Sequence, residues 1–423
     1  MKTIKISLTL LLLALFTLVF TLGVVGQEEK VTLTITHTMT GGADRTAFDK
    51  IVAAYEQLYP NVEIKQRVQS DDVYEDEGLI TMVKGNNPPD IYFQWGGEQV
   101  ARYARGNFAA NLTDAVERGD WKMRFSDVSW SPASYDGQIY MIPDSIDVTT
   151  VIWYNKKMFD EYGLEEPDNW DDFVDICGTL KENGITPFTI GNKELWPLGN
   201  WASHIVSRFS GKAMYDEVFE GEEKFANPAF TKGFEILEEM ANNGYFNRGM
   251  PGVGADQSMI NFFMGNAAMH PIGSWLVPQA LESAPKDFKY GLFNTPPAED
   301  GKGDQNSVLG LSSGYQVSAE TDHFEQAISF LRFYMGMEDQ KLMAEAGNFS
   351  PIIGVLDIAE VPSHTAELAA LFENSSTIIG PPDVAYPVAI ADTFYQGAAY
   401  VAGGEKTAEE ALEWVDKNVK EYY

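Results

Sequence analysis

Some short stretches of this sequence could carry catalytic chemistry. Gly310-Leu311-Ser312-Ser313-Gly314 fits the G-x-S-x-G pattern of a hydrolase nucleophile elbow. That device needs a strand before the serine and a helix directly after it. Here Tyr315-Gln316-Val317-Ser318 follows and alternates as a strand does, so a small-residue strand segment is the better expectation. The five histidines, His37, His204, His270, His323 and His364, lie too far apart for H-E-x-x-H or similar metal spacing. Gly252-Val253-Gly254 lacks the third glycine and the preceding strand of a dinucleotide loop, and there is no Walker A pattern. No cofactor and no metal are expected. Among 62 Asp and Glu, acidic pairs occur everywhere and none is singled out as a glycosidase pair.

A second kind of chemistry is non-covalent. Asp90-Ile91-Tyr92-Phe93 reads as a short buried strand, and Trp95 follows it with Gln94 and Glu98 beside it. Trp275 closes another strand end, after Gly273-Ser274. Trp196 sits in a Gly/Asn-rich loop with Asn200, and Asp144 follows Pro143. His37 ends the first strand, with Asp44 and Arg45 in the loop after it; Asp392 precedes a late helix. Each residue has a plainer use. A loop Trp can pack on its own domain. Asp44 and Asp392 can cap helices. Asp144 can serve a turn, and His37 and His270 can be satisfied structural histidines.

The elements around these residues favour the non-covalent use. Val31, Leu33 and Ile35 alternate with Thr as a strand does. Phe48, Ile51, Val52, Tyr55 and Leu58 then share a helical face that Pro60 stops. Val62 and Ile64 start a second strand, a helix surrounds Leu79 to Val83, and the Asp90 strand follows. This order is an α/β unit with a mainly parallel sheet. In such sheets ligands bind outside the carboxyl ends of the strands, where Trp95, His37, Asp44 and Arg45 lie. Further on, Val148 to Tyr154 reads as a strand, Asn192 to Trp201 as a loop, Pro228 to Asn242 as a helix and Val308 to Ser318 as extended. Thr407-Ala408-Glu409-Glu410 reads as a capping box.

A length of 423 residues implies two domains. The net charge of −32 repels nucleic acid and anionic membranes and disfavours a strongly anionic ligand. Lys2 and Lys5, the apolar run Ile6 to Val25 and the small residues before Gln27 form a secretory signal pattern over 1–26, cleaved near Gly26; an uncleaved anchor is the alternative. Cys177, the one cysteine, falls on a helical face with Trp170, Phe173 and Leu180 and is expected as a buried thiol. No Cys follows the signal, so no lipid anchor is expected there.

The order of motifs resembles extracellular solute-binding proteins, the maltose- and raffinose-type sugar-binding subunits of bacterial ABC importers. The matching stretches begin with Thr34-Ile35-Thr36-His37, the Phe48 to Pro60 helix running into Asn61-Val62-Glu63-Ile64, and Pro88-Pro89-Asp90-Ile91. They continue with Gly106-Asn107-Phe108-Ala109-Ala110-Asn111-Leu112, Tyr135-Asp136-Gly137 with Ile142-Pro143, and Trp153-Tyr154-Asn155-Lys156. Phe263-Met264-Gly265-Asn266-Ala267-Ala268-Met269 and the Gly403 to Leu412 ending complete the set. The resemblance implies the two-lobed α/β type II periplasmic-binding-protein fold, interleaved and joined by crossing strands with ligand between the lobes. The lobes would be 27–143 with 309–346, and 144–308 with 347–423. It also implies a periplasmic monomer that carries a sugar to ABC permease subunits without enzymatic turnover. Sugars stack C–H faces on flat rings and give hydroxyls to Asp, Asn, Arg or Glu. The expected contacts are therefore Trp95, Trp196 and Trp275 with Asp44, Arg45, Gln94, Glu98, Asp144, Asn200, Ser274, His37 and Asp392. A secreted glycoside hydrolase, or a same-fold binder of a non-sugar solute such as a polyamine, are the alternatives.

Overall fold

The computed structural model describes residues 30–74, 78–85 and 87–423, so the expected signal segment, 1–26, lies outside the described residues. β1 (Val31–His37) buries Val31, Leu33 and Ile35. The helix Ala43–Leu58 turns Ala47, Phe48, Ile51, Val52 and Tyr55 inward, a spacing that keeps one face on the core. β2 (Val62–Val68) runs parallel along β1, and β3 (Ile91–Trp95) runs parallel on the other side of β1. A tight hairpin of β4 (Ser134–Tyr135) and β5 (Gln138–Ile139) turns through Asp136 and Gly137, both at positive φ as such two-residue turns require.

β6 (Ile142–Val148) and β7 (Val151–Asn155) follow, separated at Thr149-Thr150, so the single strand expected from Val148 to Tyr154 is divided there. The remaining strands are β8 (Met269–Ile272), β9 (Tyr290–Phe293), β10 (Val308–Val317) and β11 (Ile378–Ile379). One sheet has the order β11-β10-β3-β1-β2, with β6 also paired to β10; the other is β8-β7-β9, antiparallel throughout.

β6 and β10 join two cores. Tyr315 and Val317, late in β10, pack with Phe48, Phe330 and Tyr334, whereas Leu309, early in β10, packs with Phe173, Trp201, Phe219 and Phe394. Ile142 of β6 belongs to the first of these cores; Ile146 and Val148 pack with Trp153, Phe262 and Leu276 beside the second sheet. The fold is therefore a pair of α/β lobes joined by strands that cross between them. Ile352 and Val355 still pack in the first core.

Gly310 and Gly314 stand where β6 comes closest to β10. A Cβ on Gly310 would strike the Asp147 carbonyl, and one on Gly314 the Ile142 carbonyl. The G-x-S-x-G stretch is thus strand interior, with Ser312 Oγ donating to the Ser129 carbonyl at 2.9 Å and no helix after Gly314. Cys177 is buried, and burial pushes its thiol well up, as an inert core thiol requires. Trp153 and Trp201 are also core residues. Thr407 and Glu410 form the reciprocal capping box.

Gly314→Val should press a branched side chain into the β6 backbone and lower the urea midpoint, by an overpacking cost on the order of 1–3 kcal/mol. Gly252→Ala, which has open space at that position, should leave the midpoint in place.

Candidate functional site

A cleft of about 1080 Å³, its open mouth included, lies between the lobes. The crossing strands form its floor. Trp95 stands opposite Ser313 across β3 and β10, and Ser313 stands opposite Ser145 across β10 and β6. Opposed residues share a sheet face. The row is extended by Leu311 opposite Asp147, and all of these side chains line the cleft.

The register of β6 against β10 contains one irregularity. Ser145 opposes Ser313 and Pro143 opposes Gly314, which leaves Asp144 as the extra residue of a β-bulge. A bulge re-aims a side chain. Residues three apart in an uninterrupted strand point to opposite faces; with the bulge, Asp144 and Asp147 both reach the cleft.

Their environments differ. Asp147 accepts hydrogen bonds from Ser145 Oγ at 2.9 Å and Ser313 Oγ at 2.6 Å. Asp144 accepts from the Tyr334 hydroxyl at 3.0 Å on one oxygen, and its Oδ1 is buried without a partner. Burial, and then the charge of Asp147, push Asp144 up to about 8. Burial also pushes Asp147 up, against the two serine bonds. Asp44 rises to about 6 through burial, opposed by its backbone bonds, including the Arg45 N–H at 2.9 Å. It lies in the first turn of its helix, where Gly42 holds the cap position, so it does not cap. On the opposite wall burial raises Asp383 to about 6, and its Oδ1 also has no partner.

The tryptophans come from both walls. Trp95 is packed edge-on against Phe93 at 5.3 Å and Tyr74 at 5.9 Å between centroids. Trp196 and Trp275 meet edge to face at 5.8 Å. Gly273 is needed beneath Trp275, because a Cβ there would enter the indole. Trp196 opens the helix Trp196–Phe219, immediately after Leu195 at φ 64, and Asn200 follows one turn later on the same side. The rim is bridged by the Gly42 N–H donating to Glu282, by Gln279 Nε2 donating to the Gly41 carbonyl at 3.2 Å, and by Gln99 Nε2 donating to the Asp383 carbonyl at 3.0 Å.

Of the residues singled out in the sequence, the cleft brings together His37, Asp44, Trp95, Asp144, Trp196, Asn200 and Trp275. The others lie elsewhere. Gln94 alternates to the opposite face of β3 from Trp95 and is buried. Glu98 pairs with Arg105 in its own helix. Arg45 pairs with Asp49 at 3.0 Å and donates to the Met39 carbonyl at 3.1 Å. Ser274 is buried, with its N–H on the Val148 carbonyl at 2.8 Å. Asp392 is exposed within the helix Val388–Ala402 and not at its cap. Asp147, Asp383, Thr149 and Tyr315 line the cleft and were not anticipated. Among the described residues no group of His, Cys, Asp and Glu is placed to hold a metal. His270 is a core residue, its Nδ1 on the Thr189 carbonyl at 2.8 Å.

Two lobes, a pair of crossing strands and a cleft lined from both sides define a two-lobed ligand-binding protein. Residues 41–341 match the bacterial extracellular solute-binding protein family, and the chain belongs to that family. It is a family of solute-binding proteins of ABC importers, not an enzyme family, and its members act outside the cytoplasm. An uncharacterized ABC transporter extracellular-binding protein of Pyrococcus horikoshii is 28% identical over 247 residues, 57% of this chain and 55% of that one, so the match spans about half of that relative. The melibiose/raffinose/stachyose-binding protein MelE of Bacillus subtilis is 25% identical over 75% of this chain and 73% of its own. Among solved structures, one from work on xylan utilization by Caldanaerobius polysaccharolyticus superposes with a TM-score of 0.85 at 24% identity, over 92% of this chain and 100% of that one. A chitin oligosaccharide binding protein gives 0.82 at 24% identity, over 92% and 98%. These likenesses establish the fold.

Because Asp144 is raised in the folded state, its neutral form is favoured by folding. The stability it contributes is fully present below the ordinary 3.8 and is lost as pH rises through about 8. Urea titrations across that window should show the wild type losing stability relative to Asp144→Asn. Parallel curves for the two proteins would mean that Asp144 is not raised.

Proposed function

We propose that the protein binds an oligosaccharide in this cleft and delivers it to the permease of an ABC importer by hinge closure. One observation carries the reading: Trp95 on one wall and Trp196 with Trp275 on the other enclose Asp44, Asp71, Asp144, Asp147 and Asp383, and among the described residues no Lys or Arg side chain lines the cleft. Flat rings suit the C–H faces of sugars, and carboxyls and Asn200 suit their hydroxyls. The multiple sugar-binding protein of Streptococcus mutans, 25% identical over 67% of this chain, agrees with this class.

The crossing pair β6 and β10 is the hinge. Ligand held by both walls favours the closed form. The permease reads that form from the exported, periplasmic, monomeric protein. We take the lobes to be 30–143 with about 313 to about 355, and the remainder, since Tyr315, Val317, Ile352 and Val355 pack with the first core and Leu309 with the second. Binding without turnover is favoured by membership of a family of solute-binding proteins that is not an enzyme family.

Raffinose, xylotriose, chitotriose and spermidine, screened by melting temperature, separate the classes. At least one saccharide should raise it with no product formed, and calorimetry should give a Kd of about 1 μM or tighter, about −8 kcal/mol. Product release would support a hydrolase, and a rise with spermidine alone a polyamine binder. Trp95→Ala and Trp275→Ala should each weaken saccharide binding at least about tenfold, or 1.4 kcal/mol, with unchanged circular dichroism. Unchanged affinity in both variants would remove these indoles from the site.

A further inference from the structure

Behind the first wall, four side chains form a hydrogen-bonded line that ends on His37. Arg45 Nε donates to Asp49 Oδ2 at 3.0 Å, Gln66 Nε2 donates to Asp49 Oδ1 at 2.9 Å, and His37 Nε2 lies 2.9 Å from Gln66 Oε1. The direction of every bond is forced. A guanidinium only donates and a carboxylate only accepts. Asp49 is kept ionised: desolvation opposes this, but the bonds from Arg45 and Gln66 hold it below the usual carboxylate range. Gln66 must therefore turn its NH2 to Asp49 and its carbonyl to His37, so Nε2 carries the imidazole proton. Burial pushes His37 down to about 4, which leaves the ring neutral at pH 7 and Nδ1 a bare lone pair. That Nδ1 is buried without a partner, and His37 lines the cleft.

We propose that Arg45, Asp49 and Gln66 are positioning residues that fix the tautomer of His37, so that its Nδ1 accepts a hydrogen bond from a hydroxyl of the bound saccharide. The ligand half of this inference rests on the carbohydrate reading. Its consequence is a rule for the ligand group at this corner. The group must be a donor, because an ether oxygen or a carboxylate would face a lone pair and leave both groups unpaired. Phe48 packs against both His37 and Tyr315, and the Tyr315 hydroxyl and Asp144 Oδ1 also lack partners. Arg45, expected from the sequence to touch ligand, acts through His37 instead.

Asp49→Asn tests the relay, because it is isosteric and Asp49 is an exposed side chain at 47%. Arg45 still requires an acceptor, so the new amide oxygen faces Arg45 and the new NH2 faces Gln66. Gln66 then flips, its NH2 meets His37 Nε2, and the imidazole proton moves to Nδ1. Ring nitrogen-15 spectra distinguish protonated from bare nitrogens, and a His37→Gln variant assigns the His37 signals. The wild type should carry its proton on Nε2, and Asp49→Asn should carry it on Nδ1. The same tautomer in both proteins, or Nδ1–H in the wild type, overturns the relay. In the wild type, saturation with whichever of raffinose, xylotriose or chitotriose binds should move the Nδ1 signal and leave the Nε2 signal in place. A bound saccharide that leaves Nδ1 unmoved overturns the ligand half. If none of the three binds, the carbohydrate reading and the ligand half fail together, while the tautomer switch still reports on the relay alone.

Discussion

The pairing of β6 with β10 is the constraint on which the rest of the molecule depends. Ten residues of β10 serve both lobes, and Gly310 and Gly314 let β6 lie against them without a side chain between. The bulge at Asp144 then makes the structural crossing a polar cleft floor, because it turns two carboxyls toward one cleft. The pairing of β10 with β3 sets Trp95 beside Ser313, whose hydroxyl donates to Asp147. Crossing strands, cleft floor and one aromatic wall are therefore a single piece of β-structure, and on the proposed reading motion at the crossing would move the binding groups directly.

The cleft also explains how closure is tied to ligand. Asp144 Oδ1, Thr149 Oγ1, Tyr315 OH, Asp383 Oδ1 and His37 Nδ1 are buried, lack partners and belong to residues that line it. A buried polar atom left unpaired costs about 1–3 kcal/mol, so on the proposed reading a hydroxyl-bearing ligand that pairs these atoms would favour the closed form. The rim bonds from Gly42 to Glu282 and from Gln279 to Gly41 act in the opposite sense and favour closure. Raised carboxyls temper the charge of the site: Asp144, near 8, is neutral at pH 7 and can donate as well as accept. A chain of net charge −32 thereby presents a cleft suited to an uncharged polyhydroxy ligand.

Much of the local structure was legible in the sequence. The alternation in Val31–His37, the apolar face of Ala43–Leu58 and the strand before Trp95 gave the first α/β unit and the edge where ligand groups collect. The pairing of β10 with β3 and β6 was not legible, because its partners lie well over a hundred residues away and local periodicity carries no register; the interleaved lobes came from the family resemblance. Gln94 shows a reading that period-two alternation would have corrected, since only one face of β3 carries Trp95; Glu98 lies beyond β3, in the helix Glu98–Arg105, where it pairs with Arg105. Asp147 was hidden by the bulge, which breaks that alternation. Asp383 lies in the short helix Pro382–Ala385, four residues past β11, a two-residue strand too short for alternation to show in the sequence. Asn200 was legible beside Trp196, but 192–201, expected as a loop, is helical from Trp196, which sets Asn200 one turn beyond it.

The account turns on one ligand being gripped from both sides of the crossing strands. A crystal structure of the protein with a bound neutral oligosaccharide tests this most directly. The account predicts sugar rings lying against Trp95 on one side and against Trp196 or Trp275 on the other, with hydroxyls on Asp144 and Asp383. A saccharide seated outside the cleft, or held by one lobe alone with the other wall's indoles untouched, would contradict it.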